Sequence, residues 1–503
     1  MTCRMNVVSL KKVLHFAHTT ISLPENILRM NILIICTNRN KYPVPVVPSG
    51  ACMVAEAAER AGHSVTLIDL MFEADPLRVI TAEADRAAYD VIGLSVRNID
   101  NIDMGGPRLL IDDLLPLIDA IRGLTDAPIV MGGAALSVMP EEILRRTRTS
   151  RAVIGGGEYV FLRMLDRLAR GDPGLDLVGV ASLENGVFRL NPPEGGPPRA
   201  CAAPDYRRWL NMKAYGSHLS TVPLQTKLGC PFQCVYCTYR KIEGDTYRLL
   251  DPGSVAEAAL RFASAGLIDI EFVDNVFNAP YDHAMAVCEA LIKARPRARF
   301  QTLELNPANF DHELLTAMER SGFVGIGLTV ESASDPVLQG LRKGFTSRDV
   351  HAAAEVVRGH RLPCLWIFML GGPGETRETV RETLRFAETA IRPQDTALFN
   401  VGIRIYPGTE LESIARGQGL LSIPPAGMLE PVFYVSPEVD VDWILREVGK
   451  SVGSHMNFVN SDSLSHPYLP RISRLGHWLG FRTPLWRYTR QIRRGLRFIG
   501  MDV

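Results

Sequence analysis

The sequence predicts an α/β protein in which a doubly wound, Rossmann/flavodoxin-like parallel sheet is followed by a partial (β/α)6 barrel and a small, mostly helical carboxyl-terminal region. Three observations predict this fold. Short apolar segments of strand length alternate with helical patterns in both halves of the 503-residue chain. These segments are apolar on both faces, as in parallel sheets that helices cover on each side. Six repeats in the second half are too few for a closed eight-stranded barrel.

Strands in the first half alternate with helical stretches, one of which covers residues 51–61. The predicted strands are residues 31–37, 64–70, 90–96, 127–131 and 152–154. Ligands bind doubly wound sheets at the carboxyl ends of the strands. Polar residues and glycines follow three of these strands, in residues 95–98, 132–137 and 155–158. Glycine at such a turn lets a bulky ligand approach the backbone closely.

A connector leads to a second set of strands. Residues 176–215 are predicted to link the two halves, with a hairpin around Asn185-Gly186 and then a segment rich in proline and glycine. The predicted strands of the second half are residues 222–227, 269–273, 300–304, 324–329, 365–369 and 397–405. The expected divisions of the chain are an extension at 1–29, domains at 30–175 and 216–420, and a carboxyl-terminal region at 421–503.

Three of the nine cysteines lie within eight residues, in Cys230-Pro-Phe-Gln-Cys234-Val-Tyr-Cys237. Gly229 and Pro231 bend the backbone here, so the three thiols can converge on one side of a loop. Four thiolates complete a tetrahedral zinc site or a conventional [4Fe–4S] cluster, whereas three leave one iron of a cluster open to a small molecule. The alternatives are a zinc site with a distant fourth ligand and three unrelated buried cysteines. The C-x3-C-x2-C spacing is not that of zinc knuckles, and no second cysteine pair follows.

The composition is that of an ordinary globular protein. The chain is 46% apolar and 22% charged, and its formal net charge of zero gives no basic surplus for a nucleic-acid partner. No segment approaches the roughly 18 uncharged apolar residues of a membrane-spanning helix. The other cysteines are scattered, which indicates a reducing, cytoplasmic location and no disulfide framework. Residues 1–29 are read as a targeting segment or, as we favour, as residues ahead of a natural start at Met30.

The cysteine motif, with Tyr236 just before its third cysteine, resembles that of the radical S-adenosylmethionine (SAM) superfamily. The resemblance implies a [4Fe–4S] cluster held by Cys230, Cys234 and Cys237, and cleavage of SAM to a 5′-deoxyadenosyl radical. It also implies an external electron donor such as flavodoxin or ferredoxin. Further motifs follow in the order that the superfamily shows, so the resemblance covers about residues 31–415.

The resemblance places SAM at the carboxyl ends of the barrel strands. Glu331 is expected to accept hydrogen bonds from the ribose hydroxyls, and its alternative is a salt bridge to Arg342 or Lys343. Asp274 is expected to bind the SAM amine or, alternatively, to cap the next turn. A Gly-Gly-Pro-Gly-Glu-Thr segment after the fifth strand matches the family's glycine-rich loop. The SAM-binding residues implied are Tyr236, Asp274, Glu331, Gly371, Gly372 and Arg404.

The first half resembles the cobalamin-binding domain that precedes the barrel in one large subgroup. The segments Val47-Pro-Ser-Gly50 and Met139-Pro-Glu-Glu142 support this. The sequence lacks the Asp-x-His-x-x-Gly motif that supplies a lower cobalt ligand in methionine-synthase-like domains. Arg97 and Asn98 are our candidates for the residues beneath the cobalt. The cobalamin-binding residues implied are Ser95, Val96, Arg97, Gly132, Gly133, Ser137, Gly156, Gly157 and Glu158.

The end of the chain is rich in arginine and lies outside this resemblance. Tyr488, Ile492, Leu496 and Ile499 recur at helical spacing, with arginines on other faces and Trp486 nearby. Such a basic amphipathic helix can lie on an anionic membrane surface. The alternative, which we favour, is a helix whose apolar side packs on the barrel while its arginines are solvated.

The resemblance therefore implies a cobalamin-dependent radical SAM enzyme. We expect a C-methyltransferase that acts on an unactivated carbon of a natural-product or lipid-like small molecule, with a [4Fe–4S] cluster, SAM and cobalamin as cofactors. It would use one SAM for the radical and a second to remethylate the cobalamin. The alternatives are a cobalamin-assisted cyclase or rearrangement enzyme without methyl transfer, and a non-catalytic cobalamin sensor. A zinc-dependent hydrolase is disfavoured because no His/Glu ligand set accompanies the cysteines.

Overall fold

The computed structural model describes residues 14–16, 19–21, 28–193, 203–465, 468–498 and 500. It contains two seven-stranded sheets, one in each half of the chain. Two three-residue strands, Leu14–Phe16 and Thr19–Ile21, pair antiparallel ahead of them. Among the described residues no helix is both long and apolar enough to cross a membrane.

The amino-terminal sheet is parallel along most of its width and carries helices on both faces. Its strands β1 to β7 are Asn31–Cys36, Ser64–Asp69, Val91–Ser95, Ile129–Gly132, Arg151–Val153, Val180–Glu184 and Val187–Leu190. Helices α1 to α6 are Ser49–Arg60, Pro76–Ala84, Leu115–Leu124, Ala134–Val138, Pro140–Thr147 and Gly157–Ala169. The strand order is β2-β1-β3-β4-β5-β6-β7. The doubly wound sheet expected from the sequence is confirmed.

Strand β1 is apolar throughout because helices cover both of its faces. Ile32 and Ile34 pack into the core on one side of the sheet. Leu33 and Ile35 pack into the core on the other side. The predicted hairpin is present as β6 and β7, and β6 pairs antiparallel with β5. Part of the expected connector is therefore the edge of the first sheet.

The second half forms an open parallel sheet with helices between its strands. Strands β8 to β18 are Val222–Leu224, Lys227–Leu228, Arg248–Leu249, Asp269–Phe272, Arg299–Leu305, Phe323–Glu331, Cys364–Leu370, Thr396–Val401, Ile403–Arg404, Phe433–Tyr434 and Phe458–Asn460. Helices α7 to α19 are Tyr206–Trp209, Met212–Ser217, Tyr239–Glu243, Pro252–Ser264, Tyr281–Ala294, His312–Ser321, Asp335–Gly340, Ser347–Arg358, Arg377–Ala390, Glu410–Gly417, Val441–Ser454, Leu469–Trp478 and Thr489–Phe498. The main sheet has the order β8-β11-β12-β13-β14-β15-β18, and all neighbouring strands are parallel.

The barrel sheet has one strand more than the sequence predicts. The six predicted strands are present, and β18 pairs with β15 as a seventh, after helix α17. Phe458 of β18 is buried and lies edge-on to Phe399 of β15, with 5.6 Å between the ring centroids. The mostly helical carboxyl-terminal region thus completes the sheet with one short strand.

The last helix, α19, packs on the protein, as the favoured alternative states. Arg493 is buried, and its guanidinium donates to the carbonyl oxygens of Val452 and Phe458 at the end of α17 and on β18. The carbonyl oxygen of Trp486 accepts a hydrogen bond from the hydroxyl of Thr396 at 2.9 Å. The expectation that all arginines are solvated fails at Arg493, which satisfies backbone carbonyls that the helix end leaves unpaired. Ile499 of the predicted apolar stripe lies outside the described residues.

Candidate active site between the two sheets

The three motif cysteines lie on the loop between β9 and α9. Gly229, just before this loop, has a φ of +82°, and a Cβ there would lie 2.0 Å from the carbonyl oxygen of Thr246. Only glycine fits this position. The N–H of Cys230 donates to the carbonyl of Gly244 at 3.1 Å, and the N–H of Gly229 donates to the Glu243 carboxylate at 3.2 Å. The loop is therefore held by its own backbone and by the end of α9.

The thiols of the loop form a partly buried group. Cys230 is buried, whereas Cys234 and Cys237 are half-buried. Burial raises the pKa of each thiol, and raises that of Cys237 to about 11. The charge of Cys234 raises the pKa of the other two thiols further. Soft thiolates without carboxylate or imidazole partners are the ligands that iron–sulfur clusters use, so this donor set fits a cluster.

Within the part of the chain that the structure describes, no three Cys, His, Asp or Glu side chains are close enough to share a single metal ion. A cluster differs in this respect, because each cysteine binds a different iron atom.

Tyr236, Glu331 and Lys343 form a buried hydrogen-bonded group beside the cysteines. The Tyr236 hydroxyl and the Lys343 ammonium donate to Oε1 of Glu331 at 2.7 and 2.9 Å. Burial, the largest single cause, lowers the pKa of Lys343, but the charges of Glu331, Tyr236 and Cys234 together with the hydrogen bond to Glu331 outweigh it, so the pKa is raised. The salt bridge between Glu331 and Lys343, given as the alternative for Glu331, is confirmed. Arg342 pairs instead with Glu410 at 2.7 Å.

The glycine-rich loop after β14 lies beside this group. Gly371 has a φ of +95°, and its N–H donates to Oε2 of Glu375 at 3.0 Å. A Cβ on Gly372 would lie 3.1 Å from Cδ2 of Leu341, and one on Gly374 would lie 2.8 Å from the carbonyl of Pro336. The loop therefore packs tightly on the segment around α13, next to the end of β13.

Asp274 is engaged by the protein on both carboxylate oxygens. It is buried, its Oδ1 accepts from the N–H groups of Thr226 and Lys227, and its Oδ2 accepts from the Thr226 hydroxyl at 2.7 Å. The Lys227 ammonium lies 3.4 Å from the same Oδ2. We therefore assign Asp274 to holding the junction of β8 and β9 below the cysteine loop, which corrects the expected contact with the SAM amine.

The side chain of Arg404 is likewise bound by other groups of the protein. Its Nε donates to Oδ2 of Asp100 at 2.9 Å, and its other nitrogens donate to the carbonyls of Ile405 and Met428. Asp100 follows strand β3, so this buried ion pair joins the two sheets. Arg404 is a link between the halves of the molecule, which corrects its expected place beside the nucleoside. Sequence reasoning could not find a partner 304 positions away.

The residues assigned to cobalamin meet at the carboxyl edge of the amino-terminal sheet. Val96 donates its N–H to the carbonyl of Gly132 at 2.8 Å and accepts from the N–H of Ala135 at 3.2 Å. Gly133 has a φ of +102°, and a Cβ there would lie 2.4 Å from the carbonyl oxygen of Val96. The carbonyl of Ser95 accepts from the Thr37 hydroxyl. This edge is built mainly from backbone groups.

The remaining residues of this edge lie around the start of α6. The hydroxyl of Ser137 accepts from the N–H of Gly155 at 2.9 Å. Gly156 has room for a side chain, since a Cβ there would approach only Oε2 of Glu158, at 3.8 Å. Gly157 begins α6, and a Cβ there would lie 3.1 Å from the side chain of Val54. The nine assigned residues therefore share one sheet edge, as predicted.

The two sheet edges face each other across a cleft. Helix α4 packs on α9, and a Cβ on Gly155 would lie 3.7 Å from the carbonyl oxygen of Ile242. The Arg97 side chain is exposed, yet surrounding protein lowers its pKa and the charges of Tyr239 and Glu271 act on it. Tyr239 and Glu271 belong to the barrel, so Arg97 faces the barrel across solvent inside the cleft.

Sequence reasoning missed the polar residues that the barrel strands present to this cleft. Glu271 accepts from the Thr221 hydroxyl at 2.5 Å and from the Gln301 amide at 2.6 Å. Burial, and then the charge of Glu331, raises the pKa of Glu304 to about 7. The signal was present, because a glutamate inside an apolar strand of a parallel barrel points either to a pair or to a ligand.

Comparison with known proteins agrees with both halves of this structure. Residues 35–165 match the B12 binding domain, and residues 224–387 match the radical SAM superfamily. An uncharacterised methyltransferase of Pyrococcus horikoshii is 29% identical over 299 residues, which cover 58% of this chain and 64% of that protein. The chain thus spans a little under two thirds of that relative. Tryptophan 2-C-methyltransferase of Streptomyces laurentii is 23% identical and matches 74% of this chain and 72% of its own.

The fold is that of a solved structure as well. The radical SAM methyltransferase TsrM from Kitasatospora setae, solved with cobalamin and a [4Fe–4S] cluster bound, superimposes with a TM-score of 0.81 at 21% identity. The superposition covers 94% of this chain and 99% of that one. The order of the domains, the cysteine loop and the shared fold lead to one conclusion. The chain carries a B12 binding domain at residues 35–165 ahead of a radical SAM domain at residues 224–387.

Proposed function

We propose that this protein is a cobalamin-dependent radical SAM enzyme that transfers a methyl group to a carbon atom of a small molecule. One observation carries the proposal: α9, the helix that directly follows the cysteine loop, packs on α4 at the carboxyl edge of the amino-terminal sheet. The sites assigned to the cluster, SAM and cobalamin therefore open into one cleft. Two relatives are named as methyltransferases, which favours methyl transfer over rearrangement.

The barrel residues divide into cluster ligands and SAM contacts. Cys230, Cys234 and Cys237 would hold the cluster. Tyr236, Glu331, Gly371 and Gly372 would hold SAM. Both hydrogen bonds that Glu331 accepts use its Oε1, so its Oε2 is left to accept from a ribose hydroxyl. The positive φ values of Glu331 and Gly371 turn the chain at the ends of two adjacent strands, where a nucleoside can lie against the backbone.

The amino-terminal edge would hold cobalamin chiefly through its backbone. The Gly132-Gly133 turn and the start of α6 at Gly156-Gly157 allow a large planar ligand close to the strand ends. Arg97, at the same edge, would contact the bound ligand. When bound, the cluster and SAM supply an organic radical, and cobalamin supplies a methyl group. The chain's own part is to orient these groups and exclude water.

The domains proposed from this arrangement start from the expected divisions at 30–175 for cobalamin binding and 216–420 for the radical SAM core, with β6 and β7 added to the first sheet and β18 to the second. Two contacts outside the site are proposed with them. One is an external electron donor such as flavodoxin or ferredoxin.

The second contact is a peripheral one with an anionic membrane, through exposed Trp478 and Leu479 on and after α18 rather than through α19. Flotation of the protein with anionic and neutral vesicles tests it, and equal recovery from both would refute it.

The test of methyl transfer uses reconstituted protein, an added reductant and SAM that carries a deuterated methyl group. Candidate small molecules are supplied one at a time, and products are analysed by mass spectrometry. We expect a product that gains one labelled methyl group, with S-adenosylhomocysteine and 5′-deoxyadenosine in equal amounts. 5′-Deoxyadenosine alone, with an unlabelled but altered product, would instead establish a cyclase or rearrangement enzyme.

A further inference from the structure

The inner face of the barrel carries acceptor groups other than those assigned above to the cluster and SAM. Glu271 of β11 and Gln301 of β12 are opposite each other in the parallel register. Glu304 follows on β12, where the pairing with β13 is irregular. The charges of Glu271 and Glu331 both act on Glu304. The three side chains therefore form one polar group on the floor of the cleft, which we call the acceptor floor.

All oxygen atoms of the acceptor floor side chains except Oε2 of Glu271 have no hydrogen-bond partner among the described residues. Oε1 of Gln301 is buried and accepts no hydrogen bond. Glu271 uses only Oε2, toward Thr221 and Gln301. Glu304 takes part in no side-chain hydrogen bond or ion pair in the described chain, and Glu271 takes part in no ion pair. A buried acceptor without a donor costs about 1–3 kcal/mol, and more if it is charged, so such groups in a cleft point to a ligand that donates.

The cations around the floor do not neutralise it. Lys343 is committed to Glu331 and Tyr236 at 2.9 and 3.2 Å. Arg97, across the cleft, donates to the side chain of Asn98. Salt bridges within 4.0 Å to either Glu271 or Glu304 are absent from the described residues. A ligand that bears several N–H groups and a positive charge matches a surface that offers only acceptors.

We propose that the substrate carries a protonated amine, and that Glu304, Glu271 and Oε1 of Gln301 bind that amine. This inference deepens the proposed methyl transfer and rests on it for the identity of the cleft as the substrate site. The carboxylates act as specificity residues that hold the ammonium end of the substrate. The carbon to be methylated then lies on the open side of the cleft, between the cysteine loop and the amino-terminal edge.

The affinity for the amine should depend on pH in a direction that follows from the pKa of Glu304. The pKa of Glu304 is raised to about 7 by burial and by the charge of Glu331. A bound ammonium favours the ionised carboxylate and lowers that pKa, so binding releases a proton. Amine affinity should rise with pH up to about 7 and then level. The other groups that face Glu304 are Glu271, Glu331, Lys343 and Tyr239.

The experiment measures binding to the reconstituted holoenzyme without SAM, so that no turnover occurs. Two matched sets serve as probes: tryptamine, 3-(2-hydroxyethyl)indole and indole-3-propionate, and then phenethylamine, 2-phenylethanol and 3-phenylpropionate. Each set keeps the ring and changes only the ammonium, hydroxyl or carboxylate end. The proteins are wild type, E304Q, E271Q, the double variant and E257Q, whose carboxylate lies exposed on α10. Calorimetry at several pH values gives the affinities.

We expect each amine to bind about tenfold or more tightly than its alcohol or acid, as charge-assisted hydrogen bonds provide. E304Q should lose most of this preference and its pH dependence, while E257Q keeps both. Unchanged iron and cobalamin content in E304Q shows that the variant is folded. Equal affinities within both sets, no binding of either amine at millimolar concentration, or a preference that survives the double variant would each overturn the proposal.

The outcome is separable from that of the methyl-transfer test. The binding assay uses no reaction, so a failure to form methylated product leaves the amine preference measurable. Methylation of a substrate that has no cationic group would overturn the amine inference alone.

Discussion

The two sheet edges that face each other across the cleft are formed by different kinds of chemical group. The edge of the amino-terminal sheet consists of glycine turns and backbone hydrogen bonds, such as those of Gly133 and Val96. The edge of the barrel is crowded with buried ionisable side chains, among them Lys343, Glu331 and Glu304. The amino-terminal edge therefore suits a large ligand that contacts a wide surface. The barrel edge suits small polar ligands that are bound by charged side chains.

The contrast also separates binding from stability. The Lys343–Glu331 pair of the barrel edge is closed inside the protein, so the fold depends on it. Gly156 in the amino-terminal edge leaves space, so a substitution there can block a ligand without removing any interaction that holds the fold.

Replacement of Cys230, Cys234 and Cys237 by alanine should remove all cluster iron and leave cobalamin binding intact. Wild-type protein reconstituted without oxygen should hold about four irons per chain, and the variant none. Iron analysis and cobalamin absorbance on the same sample measure both. Cys288→Ala, a buried cysteine on α11, is the matched control and should keep its iron. Tetrahedral zinc in place of iron, or loss of cobalamin with the cluster, would contradict the separation of the two edges.

Lys343→Met should be the most damaging single substitution for stability. It leaves Glu331 buried with no cation, which costs about 3–5 kcal/mol when one partner of a buried pair is removed. The midpoint of urea unfolding measures the loss. Arg97→Met, in the cleft, is the comparison, and we expect a change of about 0.5 kcal/mol or less because the side chain is exposed there. An equal loss in the two variants would show that Arg97 is also structural.

The sequence was sufficient for the features that local patterns encode. Apolar segments such as Asn31–Cys36 and Cys364–Leu370 are buried on both faces, so their composition predicts parallel strands. The cysteine loop was predictable because Gly229 and the three cysteines lie in one short, continuous segment of the sequence. The shared sheet edge of the glycine turns followed from the rule that ligands lie at the carboxyl ends of strands.

The features that the sequence did not predict depend on partners far apart in the chain. Asp274 and Arg404 were assigned to SAM by position, but Thr226 and Asp100 engage them. Polar residues at strand ends carry no sign of whether their partner is a ligand or another part of the protein. Strand β18 has three residues, too short for a periodic pattern, and it forms because β15 offers an open edge.

Glu375→Gln should change how stability depends on pH. Burial raises the pKa of Glu375 from 4.5 to about 7, so the native state binds a proton that the unfolded chain releases. Stability from this group is complete below pH 4.5 and is lost as pH rises to about 7. The variant should therefore be more stable than wild type at pH 8, by about 1–3 kcal/mol, and equal to it at pH 5. Urea midpoints at both pH values decide this, and a constant difference would show that the carboxyl is solvated.

Gly156→Leu should weaken cobalamin binding while leaving the barrel untouched. A Cβ at Gly156 approaches nothing closer than 3.8 Å, so the leucine side chain projects into the space over the sheet edge without strain inside the protein. We expect about a tenfold loss of affinity for hydroxocobalamin, or about 1.4 kcal/mol, with unchanged iron content and unchanged urea midpoint.

Gly133→Ala is the contrasting variant, since its Cβ would lie 2.4 Å from the carbonyl of Val96 at a φ of +102°. It should lower the urea midpoint as well as the affinity, because the backbone itself must move. If Gly156→Leu bound cobalamin as wild type does, the ligand would have to lie away from the start of α6, and the backbone-lined edge would be reduced to the turn at Gly132 and Gly133.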